Sequence, residues 1–310
     1  MTWVVRPEKA NTCAVVITYQ PDAGLADRIA RIASLVHKLV IVDNKSIGES
    51  AGNIGLVPIS DSVQIIRNDR NLGVAAALNQ GLAVAQAEGY PWSITFDQDT
   101  LVGENLLREL QAVYDSFPDK ERIAIIGCNY WDRARGRSLV PRIPSSTRRW
   151  IERPGVVTSG SLVSVAVFEA IGPFLSGLFI DRVDDEYCLR ARSKGFRILL
   201  ALEPVMEHSL GRGRSRATAW GVVSTPDYPP ERWYYIARNS LILARRYFLE
   251  EPRWIAAGLV YTAMMFAKVL WLEDRRLSKC AQATSGLIDG LRSGVRIRGE
   301  DRFETHVVAS

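Results

Sequence analysis

Histidine and cysteine are scarce in this chain, at three and four of 310 residues. Cys13, Cys128, Cys188 and Cys280 stand far apart and form no C-x-x-C pair. That excludes a disulfide framework and a cysteine-built zinc site, and it suits a reducing cytosol. No G-x-x-x-x-G-K-[ST] loop is present, which excludes a P-loop nucleotide hydrolase. No G-x-G-x-x-G follows the first apolar run, which argues against a nicotinamide dehydrogenase. A G-x-S-x-G elbow is also missing. The opening MTWVVRPEKANT holds no apolar stretch, so no secretory signal is expected. Charge of one sign is in short supply too: 39 Lys and Arg oppose 34 Asp and Glu, a net +5. So small and diffuse a surplus argues against a nucleic-acid partner, while leaving an anionic membrane surface open.

What the chain has is apolar bulk, 47% of residues, enough for one large domain or one of about 200 residues with an appendage. Short β-branched runs at 13–18, 39–42, 63–66 and 92–96 read as buried strands. Helical spacing over 25–36, 74–87 and 101–117 places helices between and after them. This alternation predicts an α/β protein, Rossmann-like, whose mostly parallel sheet carries helices on both faces. Ligands bind such sheets at the carboxyl ends of the strands, where Thr18, Asp43, Asp97 and Asp99 stand.

From 132 to 154 the chain is arginine-rich and reads as a loop. Helices are expected near 165–171 and 184–194, and a strand at 197–201 leads to His208. A Gly- and Pro-bearing segment, 211–230, marks a boundary. We therefore expect two parts, a catalytic domain over 1–215 and a C-terminal helical region over 216–310. In the second part, 233–248 and 254–272 read as helices. The latter has no charge from 255 to 267 and is followed by Arg275, Arg276 and Lys279. It reads as a helix buried on the main domain, an in-plane membrane helix with a basic flank, or a span.

Two acidic clusters could carry chemistry. Asp97-Gln98-Asp99 ends an apolar strand with two hard oxygen ligands, suited to Mg²⁺ or Mn²⁺ beside substrate phosphates. The plain alternative is a turn or a cap for the next helix. In Asp184-Asp185-Glu186, crowded like charges raise a pKa, as a general base needs. Equally, acids in a first turn favour a helix through its dipole. His208 precedes Arg212 and Arg214, a metal ligand and a diphosphate clamp by residue type.

The order and spacing of these motifs are more specific than any one of them. Ile17-Thr18-Tyr19 is followed by Val42-Asp43-Asn44, then by Asn71-x-Gly73 opening an Ala-rich stretch with Asn79-x-Gly81. Phe96-Asp97-Gln98-Asp99, Thr158-Ser159-Gly160-Ser161, Ile180-Asp181-x-Val183-Asp184-x-Glu186-Tyr187-Cys188-Leu189-Arg190 and His208 come next. This series resembles the inverting family 2 glycosyltransferases of the GT-A fold, and within them the bacterial rhamnosyltransferase branch. The resemblance covers about 11–215, and Tyr234-Tyr235-x-x-Arg238-Asn239 extends it.

The resemblance implies a site. Thr18 and Tyr19 would line the nucleotide pocket, and Asp43 would accept from N3–H of thymine or uracil. Asn71 and Gly73 would admit the nucleotide sugar close to the backbone. Asp97 would contact the ribose or the metal, Asp99 would ligate the metal, and His208 would be a later ligand. Arg212, Arg214 or Arg238 would add charge-assisted bonds to the diphosphate. Asp184 would be the base, with Asp185 next door an open alternative. It also implies dTDP-L-rhamnose as donor, a glycan or lipid-linked glycan as acceptor, and work at the cytoplasmic membrane face in cell-surface polysaccharide synthesis. A UDP-sugar donor, or a non-catalytic sugar-nucleotide-binding scaffold, are the alternatives. The C-terminal helices would dock to lipid or pair two copies in a homodimer.

Overall fold

The computed structural model of the chain describes residues 5–132, 136–141, 148–208, 214–218 and 221–292. The first half runs β1 (Thr12–Thr18), α1 (Leu25–Leu35), β2 (Lys38–Asp43), α2 (Gly48–Gly55), β3 (Val63–Arg67), α3 (Val74–Ala87), β4 (Trp92–Asp97), β5 (Leu101–Val102) and α4 (Leu106–Ser116). It continues through β6 (Ile123–Asp132), β7 (Arg137–Ser138), β8 (Trp150–Glu152), β9 (Ser161–Ser164), α5 (Val165–Ile171), α6 (Val183–Ser193) and β10 (Arg197–His208). A hairpin, β11 (Arg214–Thr218) and β12 (Gly221–Thr225), leads to α7 (Pro230–Tyr247), α8 (Pro252–Leu272) and α9 (Arg276–Arg292).

The main sheet is ordered β3-β2-β1-β4-β9-β6-β10-β5. Its first four strands are parallel, so Thr18, Asp43 and Asp97 end on one edge. Beyond β4 the sheet is mixed, because β9 runs antiparallel to both β4 and β6. Two apolar layers sandwich the sheet. One side packs α1 and α4 through Leu25, Ile29, Ile32, Leu106, Leu110 and Val113. The other packs α3, α5 and α6 through Ala75, Leu78, Leu82, Phe168 and Leu189. The small residues of α3 let it lie close to β1, with Gly81 directly over Val15.

Local chemistry sets several boundaries. α3 begins at Gly73, whose φ of +85° few other residues adopt, and stops before Gly89 at +77°. The helix expected over 101–117 is shorter than its spacing suggested. Gly103 N donates to Val205 O at 2.8 Å and Leu101–Val102 pair with β10, so the helix starts only at Leu106. Asp99 therefore caps no helix. β6, an almost wholly buried strand, and the short α2 were not anticipated.

α7 and α9 pack along one another, and α8 lies on α7 and β12. α8 is not a core helix: only 11% of its most apolar window is buried. Ile255 and Val269 are buried near its two ends, while Leu259, Val260, Tyr261, Met264, Leu270 and Trp271 are exposed. By length and composition it could cross a membrane. Cys13, Cys128 and Cys188 are buried free thiols, and Cys280 on α9 is half-buried. Burial pushes Cys13 up to about 12, with Glu88 adding to it.

Candidate active site

The strand edge is built from bonded polar side chains. Thr18 pairs in register with Asp43, and Ile17 with Asp97. Asp43 is buried; its Oδ1 accepts from Thr18 Oγ1 at 3.1 Å and Ser46 Oγ at 2.6 Å, and its Oδ2 from Ser46 N at 3.1 Å. These donors orient the carboxylate and offset the cost of burying it. Tyr19 leaves its ring exposed, while its backbone is clamped by Gln98: Tyr19 N donates to Gln98 Oε1 at 2.7 Å and Gln98 Nε2 to Tyr19 O at 3.0 Å. Asn71 Oδ1 accepts from Gly73 N at 2.9 Å, and Asn44 Nδ2 donates to Gly73 O at 3.2 Å. Gly73 lies against Phe179, where a Cβ would come within 2.6 Å of Phe179 O.

Asp97 N donates to Ser159 Oγ at 3.2 Å, and Ser159 Oγ shares a 2.5 Å bond with Thr100 Oγ1. Thr95 Oγ1 donates to Thr158 O at 2.6 Å. The Thr-Ser-Gly-Ser stretch is thus a pin that holds the Asp97 backbone and the Thr95 and Thr100 side chains on either side of the acidic pair. His208 ends β10, paired with Asp132 of β6 at the same edge of the sheet. Its side chain, that of Arg214 and the whole of Arg212 lie outside the described residues. Among the described residues no three His, Cys, Asp or Glu side chains come together as a ready metal cage. Asp97 and Asp99 still offer hard carboxylate oxygens at one strand end, a donor set that fits Mg²⁺ or Mn²⁺ completed by diphosphate oxygens.

The turn before α6 is strained. Phe179 has φ 65° and ψ −68°, Asp181 φ 62° and Arg182 φ 63°. Ile180 N donates to Leu178 O at 2.8 Å, closing a γ-turn of the rare hand at Phe179. Such a turn persists only where its surroundings hold it, and here α7 does so. Buried Asn239 donates through Nδ2 to the carbonyls of Leu178, Ile180 and Asp181 at 2.9, 2.8 and 2.9 Å. Arg238 donates to Gly177 O at 2.6 Å and Leu178 O at 3.1 Å, so this guanidinium braces the turn. Phe179 stacks on Tyr235, ring centroids 4.9 Å apart.

α6 separates its three acids. Glu186 is fully buried, paired with Arg190 at 2.9 Å and accepting from Tyr247 Oη at 2.8 Å. Arg190 also donates to the carbonyls of Ile171, Gly172 and Pro173. Glu186 is therefore structural. Asp185 accepts from Arg182 NH1 at 2.8 Å. Asp184 has one Oδ1 bond from Asp185 N at 2.9 Å. Burial, followed by the charge of Asp185, lifts the Asp184 carboxyl to about 7; that backbone bond and Arg182 oppose the rise. A carboxyl raised in this way has the character a general base needs.

Sequence spacing gave no sign of Arg232. It lies 51 residues from Asp181, yet its Nε and NH2 reach that carboxylate at 3.0 and 2.9 Å. Burial works against its charge, but Asp181 outweighs burial, and Tyr228 and Asp97 add to the hold, raising its pKa. The field of Arg232 thus reaches both the α6 turn and the end of β4. A groove of about 870 Å³ opens beyond Asp99 along β5 and β10, lined by Trp131, Arg108, Arg149, Glu203 and Glu207 among others.

Comparison with known proteins places this geometry. The family model described as "Glycosyl transferase family 2" matches residues 13–172, from β1 to just past α5. The chain belongs to glycosyl transferase family 2. Along its length it is similar to the dTDP-rhamnosyl transferase RfbF of Shigella flexneri, 26% identical over 311 residues, covering 95% of this chain and 99% of that one. Among solved structures it resembles residues 1–349 of Staphylococcus aureus TarS in complex with UDP-GlcNAc, at TM-score 0.54 and 14% identity over 91% of this chain and 81% of that one. It also resembles the mannosyltransferase PcManGT of Pyrobaculum calidifontis in complex with GDP-Man and Mn²⁺, at TM-score 0.51 and 13% identity over 93% and 91%. These structures share its GT-A-type fold. As a family 2 member the chain is a glycosyltransferase, and the strand edge and the α6 turn are its candidate site.

Proposed function

We propose that this glycosyltransferase moves L-rhamnose from dTDP-L-rhamnose to a hydroxyl of a glycan or lipid-linked glycan, with inversion. What supports the donor is the likeness to a dTDP-rhamnosyl transferase along 95% of the chain. What supports the chemistry is the pairing of Asp181 with Arg232, whose charge is also felt at Asp97, which ties the α6 acids to the donor edge.

In this reading Asp43 takes the N3–H of the base, and the exposed Tyr19 ring stacks on it. Thr18, Asn71 and Gly73 receive the nucleoside. Asp97 and Asp99, with His208, would hold a divalent ion, Mg²⁺ or Mn²⁺, which supplies charge relief to the departing diphosphate. Arg232 adds a cation on the same side, with Arg212 and Arg214 as further candidates. Asp184 removes the acceptor hydroxyl proton while that oxygen attacks the anomeric carbon, and a single displacement inverts it. The acceptor chain runs along the groove past Trp131, whose exposed indole offers a stacking face.

We place the catalytic unit in 1–215 and assign 216–310 to bracing and docking. α8 lies in the plane of an anionic membrane at the cytoplasmic face. Ile255 and Val269 seat it on the protein near both ends, and Arg253, Arg275 and Arg276 flank its apolar face. Pairing of two copies through α8 is the competing use of that face.

Thermal unfolding with dTDP and UDP, each with Mn²⁺ or EDTA, tests the donor. A ligand at 100 times its dissociation constant adds about 2.7 kcal/mol. Metal-dependent stabilisation by dTDP above UDP is expected. A preference for UDP would move the donor to a UDP-sugar, such as a galactofuranosyl, glucosyl or N-acetylglucosaminyl donor. No response to either nucleotide would reject the pocket.

A further inference from the structure

The apolar helix α8 and the acids of α6 are joined by one side chain. Arg182 stands at the N-terminus of α6 with φ 63°. Its guanidinium meets three elements: NH1 donates to Asp185 Oδ2 at 2.8 Å, Nε to Ser240 Oγ on α7 at 3.2 Å, and NH2 to Thr262 Oγ1 on α8 at 2.8 Å. Thr262 Oγ1 in turn donates to Gly258 O at 2.9 Å, which leaves its lone pairs aimed at the arginine. The arginine is mostly buried, at 18% exposure, as is Asp185, at 24%. A guanidinium there is costly unless its fork is matched, and these three oxygens match it. A second tie, Arg192 to Glu251 at 2.8 Å, holds the far end of α6 to the turn between α7 and α8.

We propose that Arg182 is a positioning residue, and that its bond to Thr262 lets α8 brace the acids of α6 by fixing Asp185 beside Asp184. The inference rests on Asp184 being the base, as read above. Among the described residues, the titratable groups that act on Asp184 are Asp181, Asp185 and Arg182, with the Cys188 thiol one turn on. From α7, Arg232 pairs with Asp181, and from α8 the Thr262 hydroxyl reaches Arg182. Arg182 therefore balances the Asp185 charge that Asp184 feels. How firmly it does so depends on where α8 sits.

The test uses the full chain and two readouts. The first needs no substrate: carbon-13 NMR titration of the Asp184 carboxyl in wild type, Thr262→Val, Thr262→Ser, Arg182→Gln and Arg182→Lys. Arg182→Gln should move the Asp184 titration to higher pH. Thr262→Val should move it the same way by less, and Thr262→Ser should restore the wild-type curve. The second is turnover. Thr262→Val should lower kcat about tenfold, the effect of losing one charge-assisted bond, with the donor KM unchanged. The acid limb of its pH profile should move with the titration, and Arg182→Lys should recover part of the loss of Arg182→Gln. A Thr262→Val titration that superimposes on wild type overturns the proposal. So does a Thr262→Val loss that Thr262→Ser shares. If the titrations shift as expected while Asp184→Asn leaves turnover intact, the coupling stands and Asp184 is not the base.

Discussion

Asp184 and Glu186 stand two residues apart on α6, one lightly bonded and the other locked under a guanidinium. Their variants should behave oppositely. Glu186→Gln leaves Arg190 buried without its countercharge, so denaturant unfolding should record a loss of about 3 kcal/mol. Asp184→Asn should fold well and lose transfer by about 10²-fold or more in kcat. With Asp184 as the proposed base, which works deprotonated, wild-type kcat/KM should climb with pH and level off above about 7. Stability carries the reverse sign. A carboxyl whose folded pKa exceeds its usual 3.8 keeps its proton longer when folded, so its contribution is greatest below pH 4 and fades as pH rises through about 7. Unfolding temperatures from pH 4 to 8 should therefore show Asp184→Asn gaining on wild type as pH rises. The identity of the acids was legible in the sequence, but their division of labour was not. It depends on Arg190, Tyr247 and Arg182, and Tyr247 lies 61 residues from Glu186.

At the scale of elements, the junction of Gly73 and Phe179 governs how α3 meets the α6 turn. Val74 N donates to Phe179 O at 2.6 Å, and a Cβ at position 73 would strike the same residue. Gly73→Ala should cost about 1–3 kcal/mol and weaken dTDP binding, both readable in one thermal-shift titration. Elements framed by their own punctuation were legible: α3 between Gly73 and Gly89, and the strands ending in Thr18, Asp43 and Asp97. Those decided by distant partners were not. Leu101–Val102 became a strand because Met206 and Glu207 of β10 pair with it from far along the chain, and β6 was not anticipated because β9 and β10, which flank it, come later in the sequence. The exposure of α8 was equally hidden, since an apolar helix reads alike whether it faces a core or the outside.

For the whole molecule, the asymmetry is between a polar strand edge and an apolar surface on α8. The chain should float with vesicles containing anionic lipid, less so with neutral ones, and should detach as salt is raised. Met264→Glu with Trp271→Glu should abolish flotation without changing the nucleotide response. Concentration-dependent self-association lost in the same variant would instead assign that face to a second copy.

The four cysteines have a practical consequence. Three are walled into the sheet layers or α6, and burial holds their thiols protonated. A maleimide fluorophore added to the native chain should therefore react first at Cys280, on α9. Wild type carries its own attachment point for a dye near the helices whose docking is in question, and no engineered cysteine is needed to watch them.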